Sequence, residues 1–296
     1  MKTLMRIPFV KLEALGNDFI VASPLEWIAP GQRSVSGAPF LSRLAKAICE
    51  RHTGVGADGL LLIGPPKDRK HHARVRFFNA DGSEAEMSGN GIRCAAAGMM
   101  ETRLRQKTLK IETLAGVRTL EHIRGEAGNH TFRVSMGKPI LEPELIPFRA
   151  VGIAAPVVRY SLATRSGEFL VTVTSMGNPH CSLFVESFDE LDWPKIGSEI
   201  ETHPLFPNRT NVEFVRIISR QKIEVRYWER GVGVTASSGT GSSGAVVASI
   251  LNGFTGRRVR VETLAGALQV EWPEGGEVIL TGPAQIVVTG DYAYRG

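Results

Sequence analysis

The chain has little cysteine, no long apolar run and no large excess of one charge. Each shortage closes off a class of function. Its three cysteines, Cys49, Cys94 and Cys181, are an odd number without metal-ligand spacing. That pattern excludes a disulfide framework or a cysteine-rich metal site and points to a reducing cytoplasm. No segment is apolar for the length a membrane span requires. Residues 1–6 resemble the basic start of a signal peptide, but Lys11, Glu13, Asn17 and Asp18 follow before an apolar stretch can form. The formal net charge is only +5, and the basic residues are scattered. A mild positive balance suits small anionic substrates and argues against a nucleic-acid surface. What remains is ordinary globular material, 43% hydrophobic and 22% charged over 296 residues. That is enough for two domains, each with its own core.

The chain also repeats itself. Ser88-Gly89-Asn90-Gly91 is matched by Ser238-Gly239-Thr240-Gly241. At the same offset Arg76-Phe77-Phe78 meets Arg226-Tyr227-Trp228, and Ile111-Glu112-Thr113-Leu114-Ala115-Gly116 meets Val261-Glu262-Thr263-Leu264-Ala265-Gly266. Two copies of one unit are therefore expected. Residues 1–130 with a returning segment 284–296 form the first domain, and residues 131–283 the second. The crossover is placed in the polar, glycine-containing stretch 125–130, with the alternating residues 132–137 opening the second unit.

Strands are expected at residues 7–11 and 19–22, around the turn Leu15-Gly16-Asn17-Asp18, and at 59–63 and 74–78. Further strands are expected at 118–123, 159–162, 169–175, 181–185 and 268–272, and at 285–289, which returns to the first domain. Leu41, Leu44, Ala45 and Ile48 share one face of a helix over 41–50, and residues 23–39, with three prolines and two glycines, read as a surface loop. Residues 89–100 and 239–251, rich in small residues, read as buried helices. Many strands and one such helix per unit predict an α+β protein, each unit a curved, mostly antiparallel sheet around a central helix.

A helix start exposes unpaired N–H groups and the positive end of the dipole. Glycines at 89, 91, 239 and 241 let that backbone approach a ligand closely. Two such ends facing each other would cradle one carboxylate without a cofactor. A group at each cap position would then lie on either side of the ligand's α-carbon. A cysteine there would have its pKa lowered, so that one thiolate could remove the α-proton while the opposite thiol returned one. Serine is a poor substitute for that chemistry and a very good helix cap. From the turns alone, Ser88 and Ser238 read as caps or small ligand contacts.

Several further motifs accompany these turns. They are Leu15-Gly16-Asn17-Asp18-Phe19, Gly54-Val55-Gly56-Ala57-Asp58-Gly59, Phe78-Asn79-Ala80-Asp81-Gly82-Ser83-Glu84, Gly89-Asn90-Gly91-Ile92-Arg93-Cys94, Met176-Gly177-Asn178-Pro179-His180, Asn211-Val212-Glu213-Phe214 and Glu229-Arg230-Gly231-Val232-Gly233. In order and content they resemble the diaminopimelate epimerase family along nearly the whole chain. The resemblance implies a two-domain fold with the active site in the cleft between domains, a homodimer, and no pyridoxal phosphate or metal. It implies interconversion of LL- and meso-diaminopimelate by two cysteines acting as paired acid and base. Those cysteine positions are Ser88 and Ser238 here. By the same resemblance Asn17, Asn79, Asn178, Asn211, Glu229 and Arg230 hold the substrate, Gly89, Asn90, Gly239 and Thr240 hold the carboxylate at the reacting centre, and His180 and Glu229 assist the acid/base pair.

Simpler roles stand beside these. Asn17 and Asn178 each follow a glycine and could satisfy turns, Glu229 and Arg230 could be an ordinary ion pair, and Asp58 and Asp81 read as turn-stabilising. Cys94 lies within the first apolar helix and Cys181 in a strand, so both read as packing. Three functions are open on sequence alone. The chain could be a diaminopimelate epimerase whose two cysteines were deliberately replaced. It could be a natural paralogue acting on a related amino acid through His180 or Glu229, as the drift at Val234, Ala236 and Ser237 suggests. Or it could be a silent amino-acid binding protein.

Overall fold

The computed structural model describes residues 4–23, 37–101 and 106–295. The chain divides into two compact units, Met1–Val134 with Gly282–Gly296, and Ser135–Thr281.

In the first unit, β1 (Met5–Ala14) and β2 (Asn17–Ala22) form an antiparallel hairpin. Leu15 and Gly16 between them have φ of 54° and 79°, the paired left-handed conformation whose twist suits a two-residue loop. Leucine is strained there, and the turn delivers Asn17 to the head of β2. Helix α1 (Ala38–Cys49) buries Leu41, Leu44, Ala45, Ile48 and Cys49. Pro39 sits in its first turn, where no backbone donor is lost. Most of the loop expected over 23–39 lies outside the described residues, and its last two residues already belong to α1.

Strand β3 (Gly59–Gly64) lies parallel to β2, and β4 (Ala73–Asn79) returns antiparallel with the short β5 (Glu84–Ala85) at its end. Helix α2 (Gly89–Glu101) is buried along its length to Met99 and packs against β1, β2, β3 and β4. Its alanines and glycines make that enclosure possible: a Cβ on Gly98 would stand 3.1 Å from Val21. Then β6 (Thr108–Thr113) lies parallel to β4, and β7 (Gly116–Glu126) and β8 (Asn129–Gly137) follow antiparallel.

The second unit repeats the plan. Its elements are β9 (Tyr160–Thr164), β10 (Gly167–Ser175), β11 (Pro179–Phe184), α3 (Trp193–Glu201), β12 (Asn211–Ser219), β13 (Lys222–Glu229), β14 (Gly233–Thr235), α4 (Gly239–Leu251), β15 (Arg258–Thr263), β16 (Gly266–Glu271) and β17 (Val278–Tyr294). The pairs β11–β12 and β13–β15 are parallel, as β2–β3 and β4–β6 are in the first unit. The central helix α4 packs against β10, β11, β12, β13, β15 and β16. Beyond Thr281, β17 pairs with β1, and Ile286 N–H donates to Gly128 O at 2.9 Å beside β8, so the first unit's sheet comes round on itself. The architecture is α+β, as the pattern predicts.

Residues 125–130 carry the chain through no crossover. They form the β7–β8 hairpin, with Glu126 paired to Asn129 and the turn at Ala127 and Gly128 (φ 48° and 79°). A polar turn with glycine looks the same in sequence whether it links domains or reverses a strand. The chain passes between units inside β8, after Val134, and returns inside β17, after Thr281. Helix α3 was not anticipated. Asp192 caps it, accepting from Lys195 N at 3.3 Å, but Gly197 interrupts its apolar face, where a Cβ would stand 2.8 Å from Trp228. Among the described residues, no helix is long and apolar enough to cross a membrane.

Candidate active site in each unit

Both serines cap their helices. Ser88 Oγ accepts from Gly91 N at 3.0 Å, and its carbonyl accepts from Ile92 N at 2.8 Å. Ser238, with φ −142°, accepts from Gly241 N at 3.2 Å, and its carbonyl from Ser242 N at 2.9 Å. The second glycine of each turn has no room for a side chain. A Cβ at 241 would stand 3.0 Å from Ser238 Cβ and from Tyr227 Cδ1, and one at 91 would stand 3.1 Å from Phe77 Cε1. Each first turn is therefore packed tightly against its own sheet, and glycine is what lets the helix start there.

In the second unit Glu229 lies beside Ser238, and His180, Asn178 and Thr240 are joined by contacts at the start of α4. Glu229 ends β13 beside the Ser238 and Thr235 hydroxyls. Burial pushes its carboxyl above the ordinary range, partly opposed by those hydroxyls and by His180, while the neighbouring Glu213 adds to the rise. His180, on β11 and fully buried, places Nδ1 2.6 Å from Glu213 Oε1 and Nε2 3.0 Å from Asn178 Oδ1. Asn178 in turn donates through Nδ2 to Thr240 Oγ1 at 3.4 Å, at the start of α4. Asn211 serves the frame: its Nδ2 donates to Pro179 O at 2.9 Å, and its Oδ1 accepts from Arg230 N at 3.0 Å. It thereby ties the heads of β11 and β12 to the turn after β13. The Arg230 side chain is exposed and donates from Nη1 to Asn208 O at 3.1 Å.

In the first unit Asn90 is buried and its Oδ1 accepts from Arg93 Nη2 at 2.8 Å. Asn17 donates through Nδ2 to Asp58 Oδ2 at 2.6 Å. Asp58 also accepts from Asp18 N at 3.1 Å and pairs with Arg51 at 2.8 Å, which supports the turn-stabilising reading of Asp58. Burial works to raise the Asp18 carboxyl, but hydrogen bonds from Arg51 and Lys11 outweigh it and leave it low. Asn79, exposed at the end of β4, donates through Nδ2 to Ser83 Oγ at 2.9 Å. Asp81 holds that turn by accepting from Ser83 N at 2.8 Å.

The three cysteines are free and buried. Burial pushes the Cys49 thiol up to about 12 and also raises the Cys94 and Cys181 thiols. None offers a thiolate near neutral pH.

Arg93 and Glu213, buried ionisable residues close to the two helix starts, escaped the sequence reading. Arg93, fully buried on α2, donates to Pro283 O at 3.0 Å and Gly89 O at 2.9 Å as well as to Asn90. Burial lowers its guanidinium to about 10, so it stays cationic at neutral pH. Glu213, on β12, is 1% exposed. For Arg93 the available signal was a charge within a run of small and apolar helix residues; Glu213, flanked by Val212 and Phe214, alternates as an outward-facing residue would. Among the described residues, no three His, Cys, Asp or Glu side chains gather as a metal set.

Residues 9–142 and 172–287 match the sequence profile of the family described as diaminopimelate epimerase. A protein named diaminopimelate epimerase from Pelotomaculum thermopropionicum is 44% identical over 288 residues, covering 97% of this chain and 99% of that protein. One of the same name from Desulfitobacterium hafniense is 44% identical over 283 residues, covering 95% and 96%. Among solved structures, a hydroxyproline epimerase from Agrobacterium vitis superposes with a TM-score of 0.70 at 16% identity, covering 100% of this chain and 95% of that one. A phenazine biosynthesis protein of the PhzF family from Bacillus anthracis gives 0.66 at 15%, covering 97% and 98%. These distant likenesses speak for the fold; the profile and the close relatives speak for the lineage. The chain belongs to the diaminopimelate epimerase family.

Proposed function

We propose that the chain binds diaminopimelate as a cofactor-independent epimerase does, and that Ser88 and Ser238 stand where the acid and base belong. The observation that carries this reading is the pair of corresponding helix starts, each capped by one hydroxyl and each lined by glycine amides. In the reaction a base takes the α-hydrogen as a proton. The electron pair of the C–H bond moves toward the carboxylate, giving an enediolate-like charge that helix-start amides are suited to stabilise. A group on the opposite face then returns a proton to Cα, and the configuration inverts. Gly89, Asn90, Gly239 and Thr240 would take the carboxylate at the reacting centre. Asn17, Asn79, Asn178 and Asn211 would complete the frame, and Arg230 would take the distal carboxylate.

Serine carries this chemistry poorly. A helix end contributes about 1–2 kcal/mol at best, roughly one pKa unit, far too little to ionise an alcohol near neutrality. Turnover is therefore weak or absent, although Glu229, a carboxyl beside Ser238, keeps a slow route open. The exposed Val287 and Val288 on β17 support a homodimer, and three buried free thiols support a reducing cytoplasm.

The decisive test follows the α-hydrogen signal of LL-diaminopimelate in deuterium oxide. Little or no exchange is expected from the chain as it stands, and rapid epimerisation after Ser88→Cys and Ser238→Cys together. Brisk exchange by the serine form would favour a natural paralogue using His180 or Glu229. Binding without recovery would favour a silent binding protein, and failure to bind would end the reading.

A further inference from the structure

Glu213 belongs to none of the expected roles, yet it is the most enclosed carboxyl beside the second unit's helix start. Its Oε1 lies 2.6 Å from His180 Nδ1, and its Oε2 accepts from Ser182 Oγ at 3.3 Å. A Cβ at Gly241 would come within 3.1 Å of Oε1, so the backbone of α4 closes over it. His180 is gripped on its other edge by Asn178 Oδ1 at 3.0 Å, and a Cβ at Gly244 would stand 3.0 Å from its ring. The ring therefore cannot turn over without moving the helix.

Both ring nitrogens face oxygen atoms. With Asn178 turned so that its Nδ2 donates to Thr240 Oγ1, its Oδ1 faces Nε2 and has no hydrogen to give, so Nε2 carries one. Nδ1 and Oε1, at 2.6 Å, must share a second. We infer that Glu213 is a positioning residue: the Glu213–His180 pair holds two hydrogens between them and keeps Nε2 a donor, which turns the Asn178 amino group toward Thr240 and the ligand. The ligand atom that Asn178 reads is then an acceptor oxygen, as in a carboxylate, and not an ammonium group. Removing one hydrogen from the pair would leave Nε2 a lone pair, which only the Asn178 amino group could satisfy. The amide would turn over and present its oxygen instead.

The surroundings favour the loaded state. Burial pushes the Glu213 carboxyl up, with His180 and Ser182 opposing. Glu229 is a second carboxyl within electrostatic reach, and the buried Tyr227 hydroxyl and Cys181 thiol, both pushed up and so uncharged, supply no compensating cation. Two carboxylates in one enclosed space cannot both ionise cheaply.

Only the identity of the ligand rests on the proposed function; the hydrogen count does not. The test uses the intact chain labelled with ¹⁵N-histidine. Near neutral pH both ring nitrogens of His180 should be of the protonated type, with a strongly downfield Hδ1. In Glu213→Gln the Hδ1 signal should vanish as the new amide donates to Nδ1. A non-protonated Nε2 in the unsubstituted chain, which needs no variant to observe, would overturn the inference, as would His180 signals unchanged by Glu213→Gln. Calorimetric titration with diaminopimelate should show Glu213→Gln binding as the unsubstituted chain does, because a ring that accepts at Nδ1 keeps its hydrogen on Nε2 and leaves Asn178 in place, and markedly weaker binding would refute transmission to Asn178. If the unsubstituted chain binds no diaminopimelate, the functional reading fails while the ring-nitrogen result stands by itself.

Discussion

Replacing Arg93 with methionine removes a buried cation and leaves its shape roughly filled. The three hydrogen bonds that hold the guanidinium go to neutral oxygens, Gly89 O, Asn90 Oδ1 and Pro283 O, at 2.9, 2.8 and 3.0 Å. Bonds to a charged group contribute about 1.5–3 kcal/mol each, so three give roughly 5–9 kcal/mol gross. Against this stands the cost of taking the cation out of water, which is several kcal/mol after relaxation. Arg93→Met recovers that cost but removes the guanidinium's bonds to Asn90 Oδ1 and Pro283 O. Gly89 O keeps its helical bond. The net loss should be on the order of 2–4 kcal/mol, seen as a lower urea midpoint with an unchanged slope.

The charge also acts at a distance. For a carboxylate held by the first turn of α2, an assumed separation of about 8 Å from the guanidinium gives roughly 2 kcal/mol at an effective dielectric of about 20. Calorimetry with diaminopimelate should therefore show about thirtyfold weaker binding by Arg93→Met. Arg93→Lys, which keeps the charge and loses the fork, should lose stability but recover most of the affinity. If Met and Lys variants bind alike, the electrostatic part of the reasoning is wrong. If Arg93→Met unfolds at the unsubstituted midpoint, the hydrogen-bond part is wrong.

Three other outcomes follow from the same geometry. The native chain should react with no maleimide at neutral pH and should release three thiols on unfolding, because Cys49, Cys94 and Cys181 are all buried; fast labelling of the folded chain would contradict this. Gly244→Ala should cost about 1–2 kcal/mol despite alanine's better helix propensity, since the new methyl meets a His180 ring that is pinned at both nitrogens. Equal urea midpoints would show that the ring can yield. Glu229→Gln addresses pH: the Glu229 carboxyl is raised from 4.5 by burial, so its contribution to stability is complete below about that pH and is lost as pH climbs through the folded value. The variant should gain on the unsubstituted chain between pH 4 and pH 7 in urea unfolding, and a constant difference would argue against an enclosed carboxyl.

Much of this was legible in the sequence, because the repeat and the alternation are strong signals. Residues 239–251 are helix as expected, and α1 buries the face that periodicity selects. What failed to show was anything whose meaning depends on long-range pairing. The stretch 125–130 reads as a linker until β7 and β8 are seen to pair across it. Asn17 and Asn178 look alike, each after a glycine, yet one is bound to a carboxylate and the other to a histidine. Glu213 sits in a strand whose neighbours are Val212 and Phe214, and only the parallel register of β11 and β12, which sets Ser182 opposite it, brings it to His180.

That contrast extends to the two units as a whole and bears on how a symmetric frame could run an asymmetric step. Arg93 Nη1 and Ser243 Oγ occupy corresponding helix positions and satisfy corresponding carbonyls, Gly89 O and Gly239 O, both at 2.9 Å. One brings a charge and the other does not. On the strands the difference is reversed. His180 and Glu213, two residues beyond Asn178 and Asn211, are replaced in the first unit by Phe19 and Leu61, both buried and apolar. The first helix start thus has a cation behind it, and the second has the Glu213 and Glu229 carboxyls with a histidine bound to the first of them. A group at position 88 is stabilised when it is negative, and one at position 238 when it holds its proton. Duplication supplied two equivalent amide cradles, and a few buried substitutions made the groups at their mouths chemically unequal.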